Sequence, residues 1–138
     1  WGRTCEKSRL VLLPSRDVRA AFAVDNAFAR AVGTELAQCY RSVVKNSKNI
    51  KLRTSIERLA NYLIRQQSYN GGAEEFDLQI EKRRLASYLG MTPENLSRSI
   101  KSLRAYGVIM NGSRVKISDT EDLAGLAKPT RLIDDPRH

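Results

Sequence analysis

Four polar side chains, Glu94, Ser97, Arg98 and Lys101, recur at i, i+3, i+4 and i+7, the spacing that gathers them on one face of a helix. Their types suit the edges of base pairs. A guanidinium such as that of Arg98 forms a bidentate pair with guanine O6 and N7. A carboxylate such as Glu94 accepts from cytosine N4, and a side chain as short as Ser97 admits a thymine methyl. Lys101, one turn on, offers a point charge that suits a phosphate. On the other side Leu96, Ile100 and Leu103 keep helical spacing and must face a core. A polar helix face is most often merely solvated, so the surrounding elements decide what this one is for.

The helix has a defined start. Thr92 offers a hydroxyl as N-cap, and Pro93 takes the first helical position, where its missing N–H costs nothing. The helix is predicted to run to about Tyr106. Before it, Leu85, Ala86 and Leu89 share one face of a shorter helix, and Gly90-Met91-Thr92 breaks the two apart. After it, Val108-Ile109-Met110 reads as a strand and Asn111-Gly112 as a hairpin. Arg114 to Ile117 alternates, with Val115 and Ile117 inward and Arg114 and Lys116 outward. Two helices joined by a three-residue turn, followed by a basic two-stranded wing, predict a winged helix-turn-helix of the kind that reads DNA.

The run IEKRRLASYLGMTPENLSRSIKSLRAYGVIMNGSRVKI, residues 80–117, resembles the C-terminal domain of the Crp/Fnr transcription regulators. The likeness extends more loosely back to SRLVLLPSRDV and forward to DLAGLA. Glu94, Ser97 and Arg98 match the E-x-x-S-R pattern of the Fnr-type branch, which implies that these three read a TTGA-containing half-site. Pro93 stands where the Crp-type branch has a base-reading Arg, and Glu81 where the family usually has a Thr or Ser cap. The resemblance further implies a homodimer formed through a long helix, and an effector-binding β-roll upstream. The partners expected are double-stranded DNA, a second copy of the chain and RNA polymerase. No cofactor is expected in this chain; its unknown effector would belong to the sensor portion.

Charge agrees with a polyanionic partner. The 138 residues carry a formal net charge of +9 and a pI near 9.9. Between Gln79 and Ile117 eight basic residues face two acidic ones, so this stretch holds +6 of the +9. Thr92, Lys101, Arg114, Lys116, Arg83 and Arg84 are the expected phosphate contacts, which set register and salt dependence rather than sequence. No apolar run approaches the roughly 18 residues of a membrane span, and no signal peptide is visible. No membrane partner and a cytoplasmic location are therefore expected. Cys5 and Cys39 lie far apart without a C-x-x-C or a partnering histidine, so no metal site and two reduced thiols are expected. His138, the single histidine, is the last residue. With no paired carboxylates either, the chain does not read as an enzyme.

The predicted fold is mainly α, a long dimerisation helix followed by a winged helix-turn-helix domain with a small β-wing. Arg9 to Leu13 reads as a strand, and Ser15 as the N-cap of a short helix burying Val18, Ala21 and Phe22. With no initial Met, residues 1–25 are expected to be the remnant of the β-roll, too little for a ligand pocket of about 300 Å³. Asp25 can cap a helix over residues 26–48. Along it Ala29, Val32, Leu36, Cys39 and Val43 alternate steps of three and four, the spacing of a coiled-coil seam. The alternative is that this stripe packs on the chain's own core. Asn46 to Asn49 reads as a hinge, and residues 49–128 as the winged domain. In that domain a helix from Ile50 to Gln67 contributes Ile56, Leu59, Ala60, Leu63 and Ile64 to the core. Phe76 to Leu78 gives a short strand, Asp119 or Thr120 caps a last helix through Ala127, and residues 129–138 form a tail without a role. The rival functions are a MarR-like dimeric repressor and a protein-docking module on the same fold.

Overall fold

The computed structural model describes residue 4 and residues 7–134, the side chains of Arg131 and Leu132 excepted. The chain divides into two units, residues 1–41 and 42–138, with one long helix running through the division.

The first unit contains α1 (Ser15–Val24) and the start of α2 (Asn26–Leu52). Asp25 caps α2, its Oδ1 accepting from the amides of Ala27 and Phe28 at 2.9 Å each. Phe22 and Phe28 meet edge to face, with ring centroids 5.4 Å apart. Three expectations are corrected here. Arg9 to Leu13 forms no strand: among the described residues none pairs with it to supply a ladder, and Leu10 to Leu13 are 69–90% exposed. Pro14, not Ser15, is the N-cap of α1, and it makes no side-chain cap bond. Val18 and Ala21 are half-buried and Phe22 is exposed, since α1 has no core of its own to enter. Cys5 lies outside the described residues.

Asn46 to Asn49, expected as a hinge, lies inside α2, which continues to Leu52. A polar run does not end a helix unless a residue in it forbids helical dihedrals, and none here does. The break falls at Arg53–Thr54. Thr54 closes a capping box on α3 (Ser55–Tyr69): its hydroxyl accepts from the Glu57 amide, while the Glu57 carboxylate accepts from the Thr54 amide at 2.7 Å. The Thr54 amide and hydroxyl hold the Glu57 carboxyl below its ordinary value.

The second unit is built on α3. Its Leu59, Ala60 and Leu63 are fully buried and pack against α5 (Pro93–Leu103) and α6 (Thr120–Ala127). Three short strands, β1 (Glu75–Asp77), β2 (Val108–Asn111) and β3 (Arg114–Ile117), form an antiparallel sheet in the order β1-β3-β2. Phe76, Val115 and Met110 lie across from one another in register and are buried, closing the core below the wing. The hairpin loop is Gly112-Ser113, since Asn111 pairs with Arg114; Gly112, at φ 64°, takes the left-handed position. Asp119 caps α6, accepting from the Asp122 amide at 2.9 Å.

The tail also takes part in the fold. α7 (Arg131–Asp134) brings Asp134 onto Arg53 in a bidentate pair, with Nη1–Oδ1 at 2.9 Å and Nη2–Oδ2 at 2.6 Å. The segment expected to have no role is thus tied to the α2–α3 break; residues 135–138, His138 included, lie outside the described residues. Burial by itself raises the Asp134 carboxyl. The hydrogen bonds from Arg53 and the Thr130 amide, and the Arg53 charge, outweigh it and hold the group below its ordinary value of 3.8. A depressed carboxylate contributes stability that is present above the unfolded pKa and lost as pH falls through the folded one. Asp134→Asn is expected to lower stability by about 1.5–3 kcal/mol at neutral pH, the worth of hydrogen bonds to a charged group. In urea titrations the gap between parent and variant is expected to shrink as pH falls below about 4. A gap independent of pH would place the stabilisation elsewhere.

Candidate nucleic-acid interface

α4 (Lys82–Tyr88) and α5 form the helix-turn-helix. Leu85, Ala86 and Leu89 are buried, as their spacing requires. Gly90, at φ 62°, ends α4 in the left-handed conformation, and the Met91 amide donates to the Ala86 carbonyl at 3.0 Å. A side chain at Gly90 would meet Ile50 Cδ1 at 3.0 Å, so the turn is pressed against the C-terminal end of α2. Arg58, only 7% exposed, ties the same place together. Its Nη1 donates to the carbonyls of Ile50 (3.1 Å) and Arg53 (2.7 Å), and its Nη2 donates to that of Gly90 (3.4 Å).

The start of α5 is as the sequence requires. Pro93 is at its first position, and the Thr92 hydroxyl accepts from the Asn95 amide at 3.3 Å. Leu96 and Leu103 are buried and Ile100 half-buried. Ser99 is also buried, at 7% exposure; a small polar residue on the apolar face gave no periodic signal. Glu94, Ser97, Arg98 and Lys101 are all exposed along the opposite face. The Ser97 hydroxyl donates to the Pro93 carbonyl at 3.0 Å, leaving its lone pairs outward. The Glu94 carboxyl is lowered first by its own backbone amide, then by the Thr92 hydroxyl, with the Arg98 charge adding to them. Glu94 therefore stays an ionised acceptor, and Arg98 one turn on a fixed donor.

The expected phosphate contacts are placed less uniformly. Lys82, Arg83 and Arg84 stand exposed in the first turn of α4, where their charge opposes the helix dipole. Arg114 is exposed on β3. Lys116, expected as a phosphate contact, lies between Glu74 and Glu75, its Nζ 3.3 Å from each. Those two carboxylates, Glu75 being its direct cross-strand partner, raise its pKa and more than match its charge. The sequence could not show this, because the acids sit some 40 positions upstream and meet Lys116 only through the β1–β3 pairing.

Similarity to known proteins fits this geometry. The sequence model of the Crp-like helix-turn-helix domain matches residues 57–126, half of the chain. No curated protein sequence matches. Among solved structures, one described as a Crp/Fnr-family transcriptional regulator from Eubacterium rectale is similar with a TM-score of 0.69 and 20% identity, over 84% of this chain and 53% of that one. FixK2 from Bradyrhizobium japonicum gives 0.65 and 22%, over 83% and 59%. A structure described as a cAMP-binding regulatory protein from Silicibacter pomeroyi gives 0.58 and 26%, over 84% and 51%. The chain thus spans little more than half the length of these proteins. Because α4, α5, the β2–β3 wing and most of α3 and α6 all fall within residues 57–126, the chain belongs to the Crp-like helix-turn-helix domain family.

Proposed function

We propose that the chain is the DNA-reading half of a homodimeric, sequence-specific transcription regulator of Crp/Fnr type. The observation that carries this is the α5 face: Glu94, Ser97 and Arg98 stand together, exposed, at the N-terminal end of a capped helix beside a wing. That end enters the major groove, Arg98 pairing with a guanine, Glu94 with a cytosine amine and Ser97 lying near a thymine methyl. Thr92, Lys101, Arg83, Arg84 and Arg114 hold phosphates. Lys82 and Arg83 in the first turn of α4 support this, because their charge opposes the helix dipole and an anion meeting it offsets that cost. Lys116, already matched by Glu74 and Glu75, positions the wing instead. RNA polymerase is the partner such a regulator acts upon, in the cytoplasm.

Sequencing of DNA selected by the purified chain tests the proposal. An inverted repeat of TTGA-containing half-sites, centred about one helical turn apart, is the expected product. Selection without a palindrome, or half-sites lacking a G·C pair, rejects it. Binding that hardly changes with salt favours the protein-docking alternative, because contacts to phosphate weaken steeply as salt rises.

Dimerisation is assigned to α2. Leu36 and Val43 are 64% and 67% exposed and Cys39 is exposed, so the centre of the stripe is not covered by the chain's own core. Ala29 and Val32, half-buried in the first unit, continue it. Leu36→Glu is expected to split the dimer, because it sets unpaired charge in the seam. Sedimentation of parent and variant at matched concentration reads this, and an unchanged dimer would move the interface elsewhere.

A further inference from the structure

The outer face of the wing sheet carries its own anions. Along β3, Arg114 and Lys116 alternate with the buried Val115 and Ile117, and along β1 the exposed Glu75 and Asp77 flank the buried Phe76. The register sets Glu75 opposite Lys116 and Asp77 opposite Arg114. Burial pins that register, because a slip of one residue would turn Phe76 outward and carry both carboxylates into the core. Glu74, one residue before β1, is tied to the same place by its carbonyl, which accepts from the Ile117 amide at 2.8 Å.

The two cations on this face are treated differently. Lys116 Nζ lies 3.3 Å from a carboxylate oxygen of Glu74 and 3.3 Å from one of Glu75, so one ammonium against two carboxylates leaves a net charge of −1. Arg114 forms no ion pair among the described residues; the Asp77 carboxylate opposite it accepts from the Ser113 hydroxyl at 3.4 Å. Glu74 and Glu75 are exposed, and exposed ion pairs add little to stability. Their larger effect is on what a polyanion meets when it approaches the wing.

We propose that Glu74 and Glu75 stand in for DNA phosphates at Lys116, an internal competitor that keeps this side of the wing from gripping the backbone. The inference rests on the DNA reading proposed above. A phosphate approaching Lys116 meets two like charges and must displace both before the ammonium can serve it. Contacts to phosphate supply essentially all of the affinity for unrelated sequences. Masking one of them loosens the hold on every duplex alike, and leaves the base contacts of α5 a larger share of what binding remains.

Fluorescence anisotropy of the whole chain on an unrelated duplex, across a salt series, tests this. Glu74→Gln with Glu75→Gln is expected to tighten binding roughly tenfold at about 0.1 M salt and to steepen the slope of log affinity against log salt by about one unit, the worth of one phosphate contact. Adding Lys116→Gln is expected to return the slope to the parental value. Glu121→Gln with Asp122→Asn makes the same change in net charge at two exposed acids that form no ion pair among the described residues, and is expected to leave the slope unchanged. Melting curves establish that each variant is folded. Three results overturn the proposal: no gain in the Glu74 and Glu75 variant, a gain that survives Lys116→Gln, or an equal gain from the Glu121 and Asp122 variant. Failure of the sequence reading looks different, since selection then returns no palindrome while the unrelated duplex still reports on the mask. Absence of binding to any duplex rejects both.

Discussion

Arg98→Ala is expected to weaken binding to the selected palindrome by about 2–6 kcal/mol, since a bidentate arginine–guanine pair contributes roughly 1–3 kcal/mol and a dimer makes two. Binding to unrelated DNA is expected to change far less, so the ratio of specific to non-specific affinity should collapse. The variant isolates this contact. Arg98 is exposed, so its loss opens no cavity. Glu94 keeps its ionised state without it, because its own amide and the Thr92 hydroxyl act on it more strongly than the Arg98 charge. Arg114→Ala is the contrast: it should weaken all sequences alike and lower the slope of log affinity against log salt by about one unit. Fluorescence anisotropy on both DNAs across a salt series reads all of this. Equal losses on specific and non-specific DNA would make Arg98 an anchor rather than a reader.

Arg58→Met is expected to destabilise the winged domain by about 2–4 kcal/mol, although methionine fills similar space. A buried ion pair can often be replaced by apolar side chains, because both partners can be removed together. Here the acceptors are the main-chain carbonyls of Ile50, Arg53 and Gly90, which no substitution removes. Losing the guanidinium leaves them facing an apolar chain, at a cost of roughly 1–3 kcal/mol for each one that water does not reach. Arg58→Lys should recover only part, since an ammonium on a flexible stem cannot span three acceptors set apart by a planar fork. Urea denaturation of the three proteins measures the effect. A midpoint for Arg58→Met equal to that of the parent would show that these carbonyls are solvated without Arg58.

The helix-turn-helix and its wing were legible in the residues because each of their signals is local. Thr92 and Pro93 state where α5 starts, and the three-and-four spacing of Leu96, Ile100 and Leu103 states which side is inward. The alternation of Val115 and Ile117 states which side of β3 is covered. Every one of these acts through its own dihedrals or through neighbours within a few positions. The end of α2 was equally local and was misplaced for a different reason. The polar run Asn46 to Asn49 is compatible with helix, whereas the decisive marker, Thr54-x-x-Glu57, lies a few residues further on.

Tertiary structure alone decided the rest. Arg9 to Leu13 has the composition of a strand but no ladder to join among the described residues, and a strand exists only with its partner. Lys116 reads as an open cation until β1 lays Glu74 and Glu75 beside it. Asp134 reads as tail until it reaches Arg53, 81 positions earlier. Arg58 reads as one more charge on a helix until α2 and the Gly90 turn close over it. Spacing along a chain fixes which residues share a face. It carries no record of which distant groups will be brought opposite that face, because that depends on how whole elements pack to bury Leu59, Leu63, Leu96 and Leu123 together.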